Sequence, residues 1–202
     1  MTDRSAERLD GFTDAAFAFA VSLLVAGGGG NGGTDLWSRL ADVPAFAIGF
    51  AIIGMFWHAH VRWRRHRGPG DGLSVLLTFV LVFVVLVFVF PLAAMADSFS
   101  AYILGRPDEH SLQELFTIYG VAFLAMSATM AALFADVLRR PDLTPAQRAP
   151  VLGDMIIWLI LCGTAIVSTI LAAQGGRAAV YAPMVYATLP VLIGGFAWRW
   201  RW

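Results

Sequence analysis

Lysine is absent from this 202-residue chain, cysteine occurs once, and only 14% of the residues are charged. A soluble domain usually carries about 25% charged residues. That shortfall, with 58% hydrophobic residues and a mean hydropathy of +0.71, excludes an ordinary soluble core and points to a membrane protein. The formal net charge is zero, so the basic excess that nucleic-acid binding requires is missing. A single cysteine, Cys162, cannot make an internal disulfide and reads as a small core residue. All fourteen basic residues being arginine reads as genome composition rather than chemistry. No GxSxG nucleophile motif, P-loop or dinucleotide fingerprint is present, and the GGGG run follows one apolar helix and precedes another. Enzymatic chemistry has no foothold, and no cofactor is implied.

What is present is a series of long apolar windows. Six reach spanning length, roughly 11–27, 40–62, 73–96, 113–138, 151–173 and 180–198, against about 20 residues for a bilayer core. The expected fold is therefore an all-α membrane protein with six transmembrane helices, residues 1–202 forming one domain. Connections are short. GGGGNGGTD links the first two helices, RRHRGPGDG the next two, and RRPDLTPAQRAP carries three prolines that stop the fourth. QGGRAA requires the last two to be antiparallel, and Pro183 and Pro190 leave room for a bent sixth helix. A cleaved signal peptide is disfavoured because acidic residues interleave with Arg4 and Arg8 and no small-x-small site precedes the glycine run.

Arginine distribution orients the chain. With a cytoplasmic N-terminus, eleven arginines (4, 8, 62, 64, 65, 67, 139, 140, 148, 199 and 201) fall on the inside and three (39, 106 and 177) outside. Both termini are thus expected in the cytoplasm, with the terminal WRWRW as an interfacial anchor. The Arg62–Arg67 cluster reads first as a topology signal, and anionic-lipid contact is the sharper alternative. Asp97, Asp136 and Asp154 lie near helix ends and are expected to be solvated.

The first helix opens with charges, Arg8, Asp10 and Asp14, that a membrane helix carries only for a reason. Arg8-x-x-x-Phe12-Thr13-Asp14 resembles the RxxxFSD signature that opens the first helix of the transmembrane protein 175 family, potassium channels of animal lysosomes with shorter bacterial relatives. FWHAHVRW on the second helix is similar to that family's Trp-x-x-His followed by a basic residue, with Trp57, His60 and Arg62 in place. A long apolar third helix ending in a proline, here Pro91, is the third similarity. Thr13 replaces the usual Ser and Ser22 the usual Thr, both keeping a hydroxyl. Phe19 stands where the family has Leu or Ile.

The resemblance implies a potassium-permeable channel of a bacterial inner (plasma) membrane: a homotetramer with four copies of the first helix around a pore that passes K⁺ and other monovalent cations. No TVGYG-type filter is present, so selectivity would rest on side chains. At 100° per residue, Phe12, Phe19, Ser22, Leu23 and Ala26 fall on one side of the first helix and Asp14 faces away. The candidate pore-lining and gating residues are Phe19, Ser22, Leu23 and Ala26, with Phe19 as the hydrophobic constriction; ordinary helix packing is the competing reading for Phe19. Arg8, Phe12, Thr13, Asp14, Trp57 and His60 form the structural signature, in which a buried Asp14 draws donors from Arg8, Trp57, His60 or Thr13. His58 and His60 point about 200° apart and cannot share a metal ion. Two other functions remain open: a transporter coupling protons through Asp14, and a non-conducting scaffold. The transporter would call for broken helices and internal repeats. The first helix has no proline, and no convincing repeat relates the two halves.

Overall fold

A computed structural model of the chain describes residues 3–27, 43–68, 70–105 and 111–200. Seven helices occur among them: α1 (Asp3–Gly27), α2 (Val43–Arg67), α3 (Gly72–Leu104), α4 (Leu112–Leu138), α5 (Pro145–Gln174), α6 (Gly176–Ala187) and α7 (Leu189–Trp200). They supply six segments long and apolar enough to cross a membrane, with α6 and α7 sharing the sixth. The expected crossings match these segments apart from their ends. The glycine-rich link at 28–42 and the outer arginines Arg39 and Arg106 lie outside the described residues, as do the side chain of Arg4 and residues 201–202 of the terminal anchor.

Local signals account for the helix ends. Thr144 and Gln147 form a reciprocal capping box at the start of α5, with Pro145 where a missing N–H costs nothing. Ser111 caps α4 by accepting from the Glu114 N–H at 3.1 Å. The Asp71 carboxylate caps α3, accepting from the Ser74 N–H at 3.0 Å. Between α5 and α6 the chain reverses at Gly175, whose φ of 67° disfavours any side chain. A Cβ there would also lie 2.7 Å from Gln113 Oε1.

Proline behaves differently from the expectation that Pro91 ends the third helix. Pro91 is buried inside α3, which runs on to Leu104. In an apolar surround, ending the helix would strand several backbone groups, whereas the proline forfeits a single intrahelical bond. The sixth crossing does divide, at Thr188, two residues before Pro190. Its backbone turns there with Val191 and Leu192 both donating to the Thr188 carbonyl.

The core lies among α2, α3, α4 and α5, where Phe56, Trp63, Phe88, Met126, Leu133 and Phe134 are fully buried. Trp63 satisfies its indole by donating to the Leu133 carbonyl at 2.8 Å, tying α2 to α4. α4 and α5 pack most closely of all the pairs. The closeness requires Gly120, where a Cβ would fall 2.1 Å from Thr169 Oγ1. The first and sixth crossings are the least covered by the rest of the chain.

Candidate pore helix and its seat

Helix α1 divides into two faces. Leu9, Thr13, Phe17, Ala20 and Leu24, spaced by three and four, are buried against α2 and α3. Thr13 sits fully inside and spends its hydroxyl on the Leu9 carbonyl at 2.8 Å, so it is no donor to Asp14. On the other side Ala15, Ala18, Phe19, Ser22 and Ala26 are exposed, Phe19 at 55%.

The sequence-derived stripe is thus split by the fold. Phe19, Ser22 and Ala26 lie on the face that the chain leaves uncovered. Leu23 sits at its edge, half-buried against the core. Phe12, though 48% exposed, packs at a tilt against Phe79 of α3 with ring centroids 5.4 Å apart. The middle of the uncovered face passes through Ala15, Ser22 and Ala26, which places Phe19 on one flank. Ala15 escaped the sequence reading because that reading was anchored on Phe12, which proves to be occupied by α3. The Ser22 hydroxyl donates to the Ala18 carbonyl at 3.1 Å, so what it turns outward is lone-pair character.

Asp14 is exposed, contrary to the expectation of a buried carboxylate. One of its four expected donors reaches it, the Trp57 indole N–H at 2.8 Å from Oδ1. His60 is buried and turns instead toward Thr78 of α3, with Nε2 3.4 Å from Oγ1. Arg8 is exposed. His58 is exposed while His60 is buried, as their helical spacing requires.

A second contact seats α1. Arg64 clasps Asp10 with both nitrogens, Nε to Oδ1 at 2.6 Å and Nη2 to Oδ2 at 3.1 Å. Arg64 belongs to a wider set in which the last turns of α2 reach four other helices. Arg62 donates to both oxygens of Asp154 on α5, at 2.6 and 2.9 Å. Arg67 donates through Nε to Asp136 on α4 at 2.8 Å and to Ser74 on α3 at 3.0 Å, and its Nη2 lies 3.1 Å from Asp71. Ser74 in turn donates to Asp136 at 3.0 Å. Arg140 closes the group by donating to the Arg67 carbonyl at 2.7 Å and pairing with Asp142.

Two expectations are corrected here. Asp136 and Asp154 are not solvated helix-end carboxylates, being 5% and 4% exposed. The Arg62–Arg67 cluster is more than a topology signal, because three of its arginines are committed to carboxylates on other helices. The physical reason is common to both. A buried carboxylate needs a charged donor, and a long arginine lets α2 continue helically to residue 67 while its head group reaches sideways. Sequence spacing could not pair residues 62 with 154 or 67 with 136. Outside the crossings, the Ser74 backbone N–H beside Asp71 holds that carboxyl below its ordinary value.

Known proteins resemble this chain in sequence and in fold. The family described as endosomal/lysosomal potassium channel TMEM175 matches residues 8–91, which hold the α1 signature, the seat on α2 and the core of α3. A protein of Marivirga tractuosa named "Potassium channel" is 29% identical over 181 residues, covering 81% of this chain and 73% of that protein. Among solved structures, the crystal structure of a threonine-to-alanine variant of the potassium channel MtTMEM175, in complex with a Nanobody-MBP fusion protein, superposes with a TM-score of 0.79 at 25% identity. The match covers 94% of this chain and 90% of that one. Over residues 8–91, and in its six candidate crossings and overall fold, the chain is similar to the transmembrane protein 175 family.

Proposed function

We propose that this protein is a potassium-permeable, leak-type cation channel in which four copies of the chain assemble around a pore lined by α1. The observation that carries the reading is the uncovered face of α1. A helix seated by two polar contacts on α2 nevertheless leaves Ala15, Phe19, Ser22 and Ala26 exposed. Small and aromatic residues in that position suit a pore that closes by a dewetting apolar ring rather than by a ring of charge. Phe19 is the constriction, Ser22 provides a polar step, and Leu23 supports the ring from the edge. Asp10 and Asp14 hold the helix at its inner end and do not face the permeant ion. The names of the Marivirga protein and of the solved relative support potassium as that ion.

The excess of arginine at the α2–α3 and α4–α5 connections supports cytoplasmic termini, and the bacterial relative supports a plasma-membrane location. The unbroken course of α1 tells against a transporter with a discontinuous helix at the substrate site.

The test is ion flux into liposomes holding the purified chain, with K⁺, Na⁺ and Cs⁺ compared. A K⁺ flux above that of empty liposomes is expected, and Phe19→Ala is expected to raise conductance and blunt cation discrimination. Flux no greater than in empty liposomes would leave only a scaffold. Unchanged conductance and selectivity in Phe19→Ala would remove Phe19 from the gate.

A further inference from the structure

At the end of the bundle away from the α2 arginines, α2, α3, α4 and α6 enclose a cavity of about 290 Å³. This is close to the lower end of the ~300–1,000 Å³ range of ligand pockets. Gly49, Leu92, Met95 and Ala96 make its apolar walls, and Tyr119 and Tyr186 bring the hydroxyls.

Those hydroxyls lack partners. Tyr119 is 5% exposed and, among the described residues, makes ring contacts with Phe88, Phe116, Phe123 and Tyr186 but no hydrogen bond. The Tyr186 hydroxyl is buried without a hydrogen-bond partner in good geometry among the described residues. Buried polar groups in folded proteins are almost always satisfied, so two together in one cavity call for an occupant. A wholly apolar occupant would leave both unmade. A water held by the two hydroxyls alone would have the minimum of the two to four polar partners that a buried water takes.

The location narrows the chemistry. The lining runs from Ala45, two residues into α2, to Ile52, Tyr186 and Leu92, which lie nine, ten and twelve residues from the nearby ends of α2, α6 and α3, so the cavity spans from about 3 to about 18 Å below the helix ends at 1.5 Å per residue. That range runs from the interface, where ester groups lie, well into the acyl-chain region of a bilayer. The mouth carries Ile48 and Phe99, apolar side chains that are 54% and 40% exposed, as a surface facing lipid would be. The geometry points to a site for one acyl chain of a bilayer phospholipid: the chain lies against Leu92, Met95 and Ala96, and its ester carbonyl accepts from Tyr119 and Tyr186. The site is intrasubunit, lies across the bundle from the arginine cluster, and does not depend on conduction through α1.

The test uses the full chain in phosphatidylcholine vesicles containing a phospholipid with a photoactivatable diazirine in one acyl chain. After irradiation, adducts are mapped by mass spectrometry of peptides. Adducts are expected on the segments bearing Met95 and Tyr119 as well as on the exposed helix α7. Ala96→Phe, which fills the cavity, should lower the first set about tenfold and leave those on α7 unchanged, and Ala96→Leu offers a milder filling should the larger ring prevent folding. The pair Tyr119→Phe with Tyr186→Phe keeps the shape and should lower cavity labelling about fivefold. Labelling confined to α7, or cavity labelling indifferent to filling, would overturn the assignment.

Discussion

The pair Arg62–Asp154 is lopsided, and that asymmetry makes a quantitative prediction. Asp154 is nearly closed off, with its side chain 5% exposed, whereas the Arg62 side chain is 44% exposed. Removing arginine leaves a carboxylate inside the bundle without its donor, a situation that costs about 3–5 kcal/mol. Removing the carboxylate frees an arginine that can turn to water, so the loss is that of a solvent-accessible charged hydrogen bond, about 1 kcal/mol. Arg62→Gln should therefore destabilise the protein about three to five times as much as Asp154→Asn. For a chain of this size each kcal/mol corresponds to about 2–4 °C in the unfolding midpoint. The midpoint in a mild detergent should fall by about 6–20 °C for Arg62→Gln and about 2–4 °C for Asp154→Asn, followed by intrinsic tryptophan fluorescence at a fixed scan rate. The double variant Arg62→Leu with Asp154→Leu should recover much of the loss, because burying a charge is itself expensive. An Asp154→Asn midpoint as low as that of Arg62→Gln would refute the reasoning, since the energetic centre of the pair would then be arginine.

Further predictions come from other parts of the fold. Gly120→Ala should destabilise by about 1–3 kcal/mol, because its methyl meets Thr169 Oγ1 at 2.1 Å and Thr169 is itself tied to the Ala165 carbonyl; Gly120→Ala combined with Thr169→Ala should restore most of the loss in the same thermal assay. Asp71 has a folded-state carboxyl below its ordinary value near 3.8, so it stabilises the protein above that value and the contribution is lost as pH falls through the depressed one. Thermal midpoints measured from pH 5 down to pH 3 should therefore fall more steeply for the native protein than for Asp71→Ala, and parallel curves would exclude the cap as a contributor.

How far the sequence carried can be judged residue by residue. The six crossings were legible because an apolar window of spanning length needs no partner to be recognised. The seating role of Trp57 for Asp14 was legible through the family signature, since the two motifs occur together on helices that must meet. Asp14 was misjudged as buried because its charge suggested a need for shelter, whereas a position on the rim of α1 lets one indole N–H suffice. Pro91 was placed at the end of the third helix by family likeness alone, although the apolar window already ran to residue 96; ending the helix there would strand backbone groups in an apolar surround, and α3 continues.

The sequence alone determined the membrane character of this protein, the number of its candidate crossings and its family likeness. Those properties follow from local composition and from short motifs, both of which survive without knowledge of distant contacts. Only the tertiary structure decided which charges are buried. It paired Arg62 with Asp154 and Arg67 with Asp136 across some seventy to ninety residues of chain, and it turned one face of α1 inward while leaving Ala15, Phe19, Ser22 and Ala26 bare. A helix has a period but no preferred partner until other helices pack on it. Which side of α1 is free was therefore settled by α2 and α3.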